Sequence, residues 1–363
     1  MEILLIERTL MTRFRTLTAV SLVALLALVA AACGGSSDAK SADPSASEAP
    51  TTIHLGYFPN LTHATAIIGV ENGIFAEKLG DNALETSLFS AGPAAVEALF
   101  SGALDATYIG PNPTITAYAK SNGDAVRVIS GATSGGAALV VQPDINSAAD
   151  LKGKKVASPQ LSGTQDVALR WWLKDNGLKT DPQGGGDVSI VPQENSATLD
   201  AFKSGAISGA WVPEPWATRL VQEGGGKILV DERTLWPGGE FVTTQLVVRT
   251  EFLNKHPEAV RRLIEGQVAA NEFVNANPEQ SQKIVNEAIT RYTGKGIAPG
   301  VVSAAWKNLT FTNDPTSATL IESADHAVGV GLLDPVKNLK GLYNLSILNS
   351  VLGSQGQKPI VAP

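Results

Sequence analysis

Six short stretches rich in Gly, Pro, Ser, Thr, Asn and Gln carry the residues best suited to hold a small solute. Four are Phe58-Pro59-Asn60, Ser90-Ala91-Gly92-Pro93, Gly110-Pro111-Asn112-Pro113 and Thr133-Ser134-Gly135-Gly136. The other two are Gln160-Leu161-Ser162-Gly163-Thr164 and Trp211-Val212-Pro213-Glu214-Pro215-Trp216. Most lead into a segment of helical spacing. A helix start presents unpaired N–H groups at the positive end of its dipole, which suits an anionic head group. Glycine lets the backbone approach closely, and Ser or Thr hydroxyls add donors. No Lys or Arg falls inside these stretches; His63 follows the first and Glu214 lies in the last. An oxyanion held here would therefore meet neutral dipoles. Glu214 has two readings, an acceptor for an N–H on the ligand or a first-turn acid favouring its own helix. Tyr57, Phe58, Trp211 and Trp216 either wall an organic ligand or pack as core at strand ends. Each stretch taken alone is also ordinary turn and cap chemistry.

Patterns that would do covalent chemistry are missing from the text. There is no His-x-x-x-His, no Gly-x-Ser-x-Gly and no Walker A phosphate loop. The histidines His54, His63, His256 and His326 are scattered, which argues against a His-based metal site. Gly184-Gly185-Gly186 and Gly224-Gly225-Gly226 read as surface turns. Neither catalytic residues, nor a metal, nor a cofactor is expected.

The elements that must position the six stretches alternate along the chain. Ile53–Tyr57, Leu84–Phe89, Ala106–Ile109, Ala125–Ser130 and Ala137–Val141 read as strands, as do Lys154–Ala157, Asp187–Val191, Gly209–Val212, Lys227–Val230 and Phe241–Arg249. Helical spacing falls between them at Thr62–Val70, Pro93–Phe100, Pro113–Lys120, Thr164–Asn176, Ser196–Lys203 and Pro213–Gln222. Such alternation predicts α/β layers with mostly parallel sheets. Beyond Thr250 the pattern is almost wholly helical, with Pro257, Pro278 and Pro315 near helix starts. A weak repeat at an offset of 103 residues aligns Ala98, Ser101, Gly102 and Ala103 with Ala201, Ser204, Gly205 and Ala206. It is either a generic helix–Gly–strand unit or the trace of two similar lobes facing one cleft, where solutes of open α/β sheets bind.

At 363 residues the chain can bury two cores. Its net charge is −7, without a basic stripe, so nucleic acid is not an expected partner. Its one cysteine excludes an intrachain disulfide and ends a distinctive segment. Arg13 and Arg15 precede an apolar run from Leu17 to Ala32, which closes on Ala30-Ala31-Ala32-Cys33-Gly34. This predicts a secretory signal over 1–32, with Met11 as an alternative start. The cysteine resembles that of the bacterial lipobox, implying a lipidated Cys33 and residence on the extracytoplasmic face of the cell membrane. Residues 33–50 then form the lipidated cysteine and a flexible Ser/Ala/Asp/Pro tether.

Several segments taken together resemble one known family. They are Leu55-Gly56-Tyr57-Phe58-Pro59-Asn60, Ser90-Ala91-Gly92-Pro93, Ala98-Leu99-Phe100-Ser101-Gly102, Asp150-Leu151-Lys152-Gly153 and Trp211-Val212-Pro213-Glu214-Pro215-Trp216. The order is similar to the nitrate/sulfonate/taurine-type solute-binding family, NMT1-like, of the type 2 periplasmic-binding fold. The resemblance covers roughly residues 50–350. It implies two α/β lobes, 51–141 with 244–363 and 142–243, joined by crossover strands near Ala137–Val141 and Thr244–Arg249. It also implies ligand loops at Pro59, Asn60, Gly92, Asn112, Ser134, Gly135, Ser162, Gly163, Thr164 and Glu214, to which the residue reading adds Phe58, His63, Trp211 and Trp216 as candidate contacts. The implied partners are an organic anion or zwitterion, an ABC permease and its ATPase. An aliphatic sulfonate is the expected ligand; taurine, nitrate, a thiamine pyrimidine precursor, or a sensing role for a membrane receptor are the alternatives.

Overall fold

Residues 48–336 and 338–362 are described by the computed structural model. Cys33, the expected signal segment and most of the expected tether lie outside the described residues. Short apolar runs form eleven strands, beginning with β1 (Thr52–Tyr57), β2 (Ala83–Leu88), β3 (Ala106–Ile109) and β4 (Val126–Gly135). Next come β5 (Ala137–Val141), β6 (Lys155–Ser158), β7 (Ser189–Pro192), β8 (Gly209–Pro213) and β9 (Lys227–Asp231). The series closes with β10 (Val242–Arg249) and β11 (Leu309–Phe311). They build two sheets, ordered β11-β4-β10-β3-β1-β2 and β7-β6-β8-β5-β9.

Both sheets are covered on both faces, which explains the near-continuous apolar strands. In β10, Leu246 and Val248 join one cluster while Val242 and Val247 join the other. In β5, Leu139 and Val141 point to one side, and Ala138 and Val140 to the opposite one. This period of two lets a single strand feed two cores. Helices Pro257–Ala276 and Pro278–Thr293 cover the first sheet on one face, with Pro at their starts, where its missing N–H costs nothing.

The repeat is real in three dimensions. β2-β1-β3 in the first sheet and β7-β6-β8 in the second are parallel triplets, each with an antiparallel strand beside its last member. Helices Gly92–Ser101 and Asn195–Lys203 precede the equivalent strands β3 and β8. The parallel pairing expected falls within these triplets, and most strands of each sheet share their direction. β4, β10 and β11 pair antiparallel in the first sheet, and β5 and β9 pair antiparallel with their neighbours in the second. β5 and β10, which arrive from the other lobe, enter from the opposite end and run against the triplets, whereas β4 and β9 run with them.

Two further differences concern boundaries. Ala137–Val141, grouped with the first lobe by the expected limit at 141, hydrogen-bonds within the second sheet. The chain leaves the first sheet at Gly135-Gly136, where φ values of +79° and +75° make the turn available to glycine. It returns between Asp231 and Val242 through two 3₁₀ turns. Within the helical C-terminal part, β11 adds an unforeseen edge strand against β4.

Candidate functional site

Parallel strands in both lobes end at the same crevice, and the next element of each is a helix that starts there. β1 leads through Phe58-Pro59-Asn60 into the 3₁₀ turn Leu61–His63, β2 into helix Gly92–Ser101, and β3 through Gly110 into helix Pro111–Lys120. Opposite them, β6 leads through Gly163 into helix Thr164–Asp175. No side chain caps these three helices. Their first turns, at Gly92, Gly110 with Pro113, and Gly163 with Thr164, border one narrow space. Three positive dipole ends therefore face the same volume.

The residues around that space are neutral. Among the described residues, no Lys, Arg, Asp or Glu borders it. His63 does, yet burial drives its imidazole down to about pKa 3, so it is uncharged at neutral pH. Its Nδ1 accepts from the Phe58 N–H at 3.3 Å, and its ring stacks on Phe58 with centroids 4.3 Å apart. The free volume is about 40 Å³, room for a few water molecules.

Contacts across the crevice hold the lobes together. Trp216 donates its indole N–H to Asn60 Oδ1 at 3.0 Å. Asn308 donates to Glu214 Oε1 at 2.7 Å and accepts from Arg233 at 3.3 Å. At the rim, Trp171 stacks on His326 at 4.3 Å, and Lys174 donates to Gly329 O. The arrangement is a closed one.

The structure brings Phe58, Asn60, His63, Gly92, Gly163 and Thr164 to the crevice. Trp216 reaches it through its bond to Asn60. The remaining expected residues do other work. Pro59 is half-buried and does not border the space. Asn112 turns into its own lobe and donates to Ser323 O at 3.0 Å. Ser134 Oγ accepts from the Phe241 N–H, and Gly135 O accepts from Thr243 Oγ1, so both serve the crossing point. Ser162 donates its N–H to Asp166 and borders an outer groove instead. Trp211 is wholly buried in the second core and donates to Glu232 at 2.7 Å. Burial pushes Glu232 up to about 7. Glu214 accepts from Thr218 N–H at 3.1 Å and Thr218 Oγ1 at 2.9 Å, which makes it a cap as well as a strut to Asn308. Burial raises its pKa, against the pull of those hydrogen bonds.

Thr243 and Thr244 border the crevice without having been expected there. Their sequence context marks them only as strand residues. The available signal was a polar doublet at the start of an otherwise apolar strand.

Comparison with known proteins places these features in context. The sequence pattern of the NMT1-like family matches residues 46–289. The binding protein BAB2_1146 of Brucella abortus (strain 2308) is 33% identical over 236 residues, 64% of this chain and 70% of its own. The taurine-binding periplasmic protein of Escherichia coli (strain K12) is 29% identical over 267 residues, 72% of this chain and 80% of its own. Among solved structures, the alkanesulfonate-binding protein SsuA from Xanthomonas axonopodis pv. citri superposes with a TM-score of 0.69 at 19% identity, covering 83% of this chain and 100% of its own.

Proposed function

Because this chain belongs to the NMT1-like family, we propose that it is the solute-binding protein of an ABC importer, closing two lobes on a small organic anion and delivering it to a permease. The observation that carries this reading is the convergence of uncapped helix N-termini on a crevice bordered by no charged side chain. Its similarity to taurine- and alkanesulfonate-binding proteins supports the same role. It catalyses nothing in this reading; its work is capture and release.

An aliphatic sulfonate suits the crevice best. Its single charge is spread over three oxygens, which several neutral donors can share. A dianion would lack compensating charge. Taurine would lack a carboxylate for its ammonium group, since Glu214 is occupied by Thr218 and Asn308. A planar anion such as nitrate is the second reading, favoured by the free volume of about 40 Å³.

Thermal shift on residues 39–363 tests this with methanesulfonate, ethanesulfonate, taurine, nitrate and bicarbonate. Saturation at a hundred times Kd stabilises by about 2.7 kcal/mol, well above detection. The short sulfonates should raise the melting temperature most. A response to nitrate alone would favour the second reading, and silence from the whole panel would refute the role. We also propose that the protein is anchored outside the cell membrane through a lipid on Cys33, as the segment Ala30-Ala31-Ala32-Cys33 suggests. A Cys33→Ala protein should then leave the membrane fraction; its retention there would contradict the anchor.

A further inference from the structure

We propose that Thr244 is the side chain that reads the bound oxyanion, donating its hydroxyl to one ligand oxygen inside the crevice. The assignment rests on the anion-capture role argued above and goes beyond it by naming the side-chain contact.

Buried hydroxyls normally find a protein acceptor or water. Three buried threonines on or beside this strand do so. Thr114 Oγ1 donates to Gly110 O at 2.8 Å, Thr133 Oγ1 to Thr62 O at 2.7 Å, and Thr243 Oγ1 to Gly135 O. Thr244 differs. It is only 1% exposed, borders the crevice, and its Oγ1 has no hydrogen-bond partner among the described residues. Gln245 beside it also leaves Oε1 unpaired but does not border the crevice.

The strand is shaped around this residue. The pairing of β10 with β4 slips between Val242 and Thr244, and again between Thr244 and Gln245. A bulge of this kind re-aims a side chain at the expense of ladder regularity. Here it leaves Thr243 tied to the crossing point and Thr244 facing the space where the helix starts converge. An unsatisfied hydroxyl weakens the empty protein until a partner arrives. An oxyanion oxygen supplies that partner as a charge-assisted acceptor.

The test compares the wild type with Thr244→Val, which keeps the shape and removes the hydroxyl, and Thr244→Ser, which keeps the hydroxyl. Calorimetric titration uses ethanesulfonate and nitrate, the best probes of the two readings. Thr244→Val should bind about tenfold to a hundredfold more weakly, the range expected for loss of a hydrogen bond to a charged group. Its melting temperature without ligand should equal or exceed that of the wild type, because no native hydrogen bond is lost. Thr244→Ser should stay within about threefold of the wild type. Wild-type affinity in Thr244→Val overturns the assignment, leaving water as the hydroxyl's partner. A ligand-free Thr244→Val that melts well below the wild type also overturns it, since the hydroxyl would then serve the fold. A wild type that binds neither probe removes the capture role and this assignment with it.

Discussion

Gly110→Val should abolish productive closure while leaving each lobe folded. The glycine is not there for its dihedral angles: φ is −76° and ψ 168°, extended backbone open to any residue. It is there because of what it faces. A Cβ at this position would lie 2.3 Å from Thr164 Oγ1 and 3.4 Å from Thr164 Cβ, and Thr164 belongs to the opposite lobe. Valine puts more atoms into the same gap. Overpacking of this kind costs about 1–3 kcal/mol, and here most of it falls on the closed form, since Thr243 O of the same lobe lies farther off, at 3.4 Å. Apparent affinity should drop about tenfold to a hundredfold, because only the closed state holds the ligand well. Stability of the ligand-free protein should hardly change. Titration with ethanesulfonate and small-angle scattering with and without it would measure both effects. A Gly110→Ala/Thr164→Ala pair should recover most of the closure by returning the missing space. Undiminished compaction in Gly110→Val would show that the lobes do not meet at this point.

The largest stability effect is expected at Arg170. Its side chain and that of Asp166 are both fully buried, one helical turn apart, with Nε 3.0 Å from Oδ2. Asp166 also accepts from Ser158 Oγ at 2.7 Å and from Ser162 N–H at 3.0 Å, so the carboxylate pins the loop that carries Gly163 and Thr164. Truncation to Arg170→Ala would leave a buried carboxylate without its counter-charge, a change that destabilises by about 3–5 kcal/mol. Replacing both partners, as in Asp166→Asn/Arg170→Met, should cost far less, because no charge is stranded. Urea unfolding of the single and double variants would compare the two. A loss below about 1 kcal/mol for Arg170→Ala would mean that water reaches Asp166. Because the same carboxylate orders the loop, Arg170→Ala should also weaken ethanesulfonate binding, and the double variant should restore part of it.

Much of the architecture was legible from residue patterns. Strand and helix positions came from period-two and period-3.6 apolar spacing, which is local and robust. The helix Ile74–Leu79 escaped notice because six residues span less than two turns. β11 escaped because three residues show no alternation, and its pairing with β4 is 174 residues away in sequence at Leu309 and Gly135. The site was legible in part for the same reason. Glycine-rich stretches that end strands and begin helices announce dipole-lined loops, and Asn60, His63, Gly92 and Thr164 were found that way. Asn112, Ser134 and Trp211 sit in or beside similar stretches but face inward, and orientation depends on neighbours distant in sequence.

The amino-acid sequence alone determined the class of fold, the absence of Lys and Arg from the loops, and the family, while the doubling of the α/β unit stayed one of two readings until the sheets were seen. These follow from residue type and order, which need no knowledge of contacts. Tertiary structure decided which loops share one crevice, which side chains point into it, and where the chain crosses from one lobe to the other. Glu214 shows the difference: its type suggests a ligand acceptor, yet Thr218 and Asn308 consume its oxygens. Thr244 shows the converse, an ordinary strand residue whose hydroxyl is left free by a slip in pairing with a strand more than 100 residues earlier. Hydrogen-bond supply is a property of packed neighbours, and only folding brings those neighbours together.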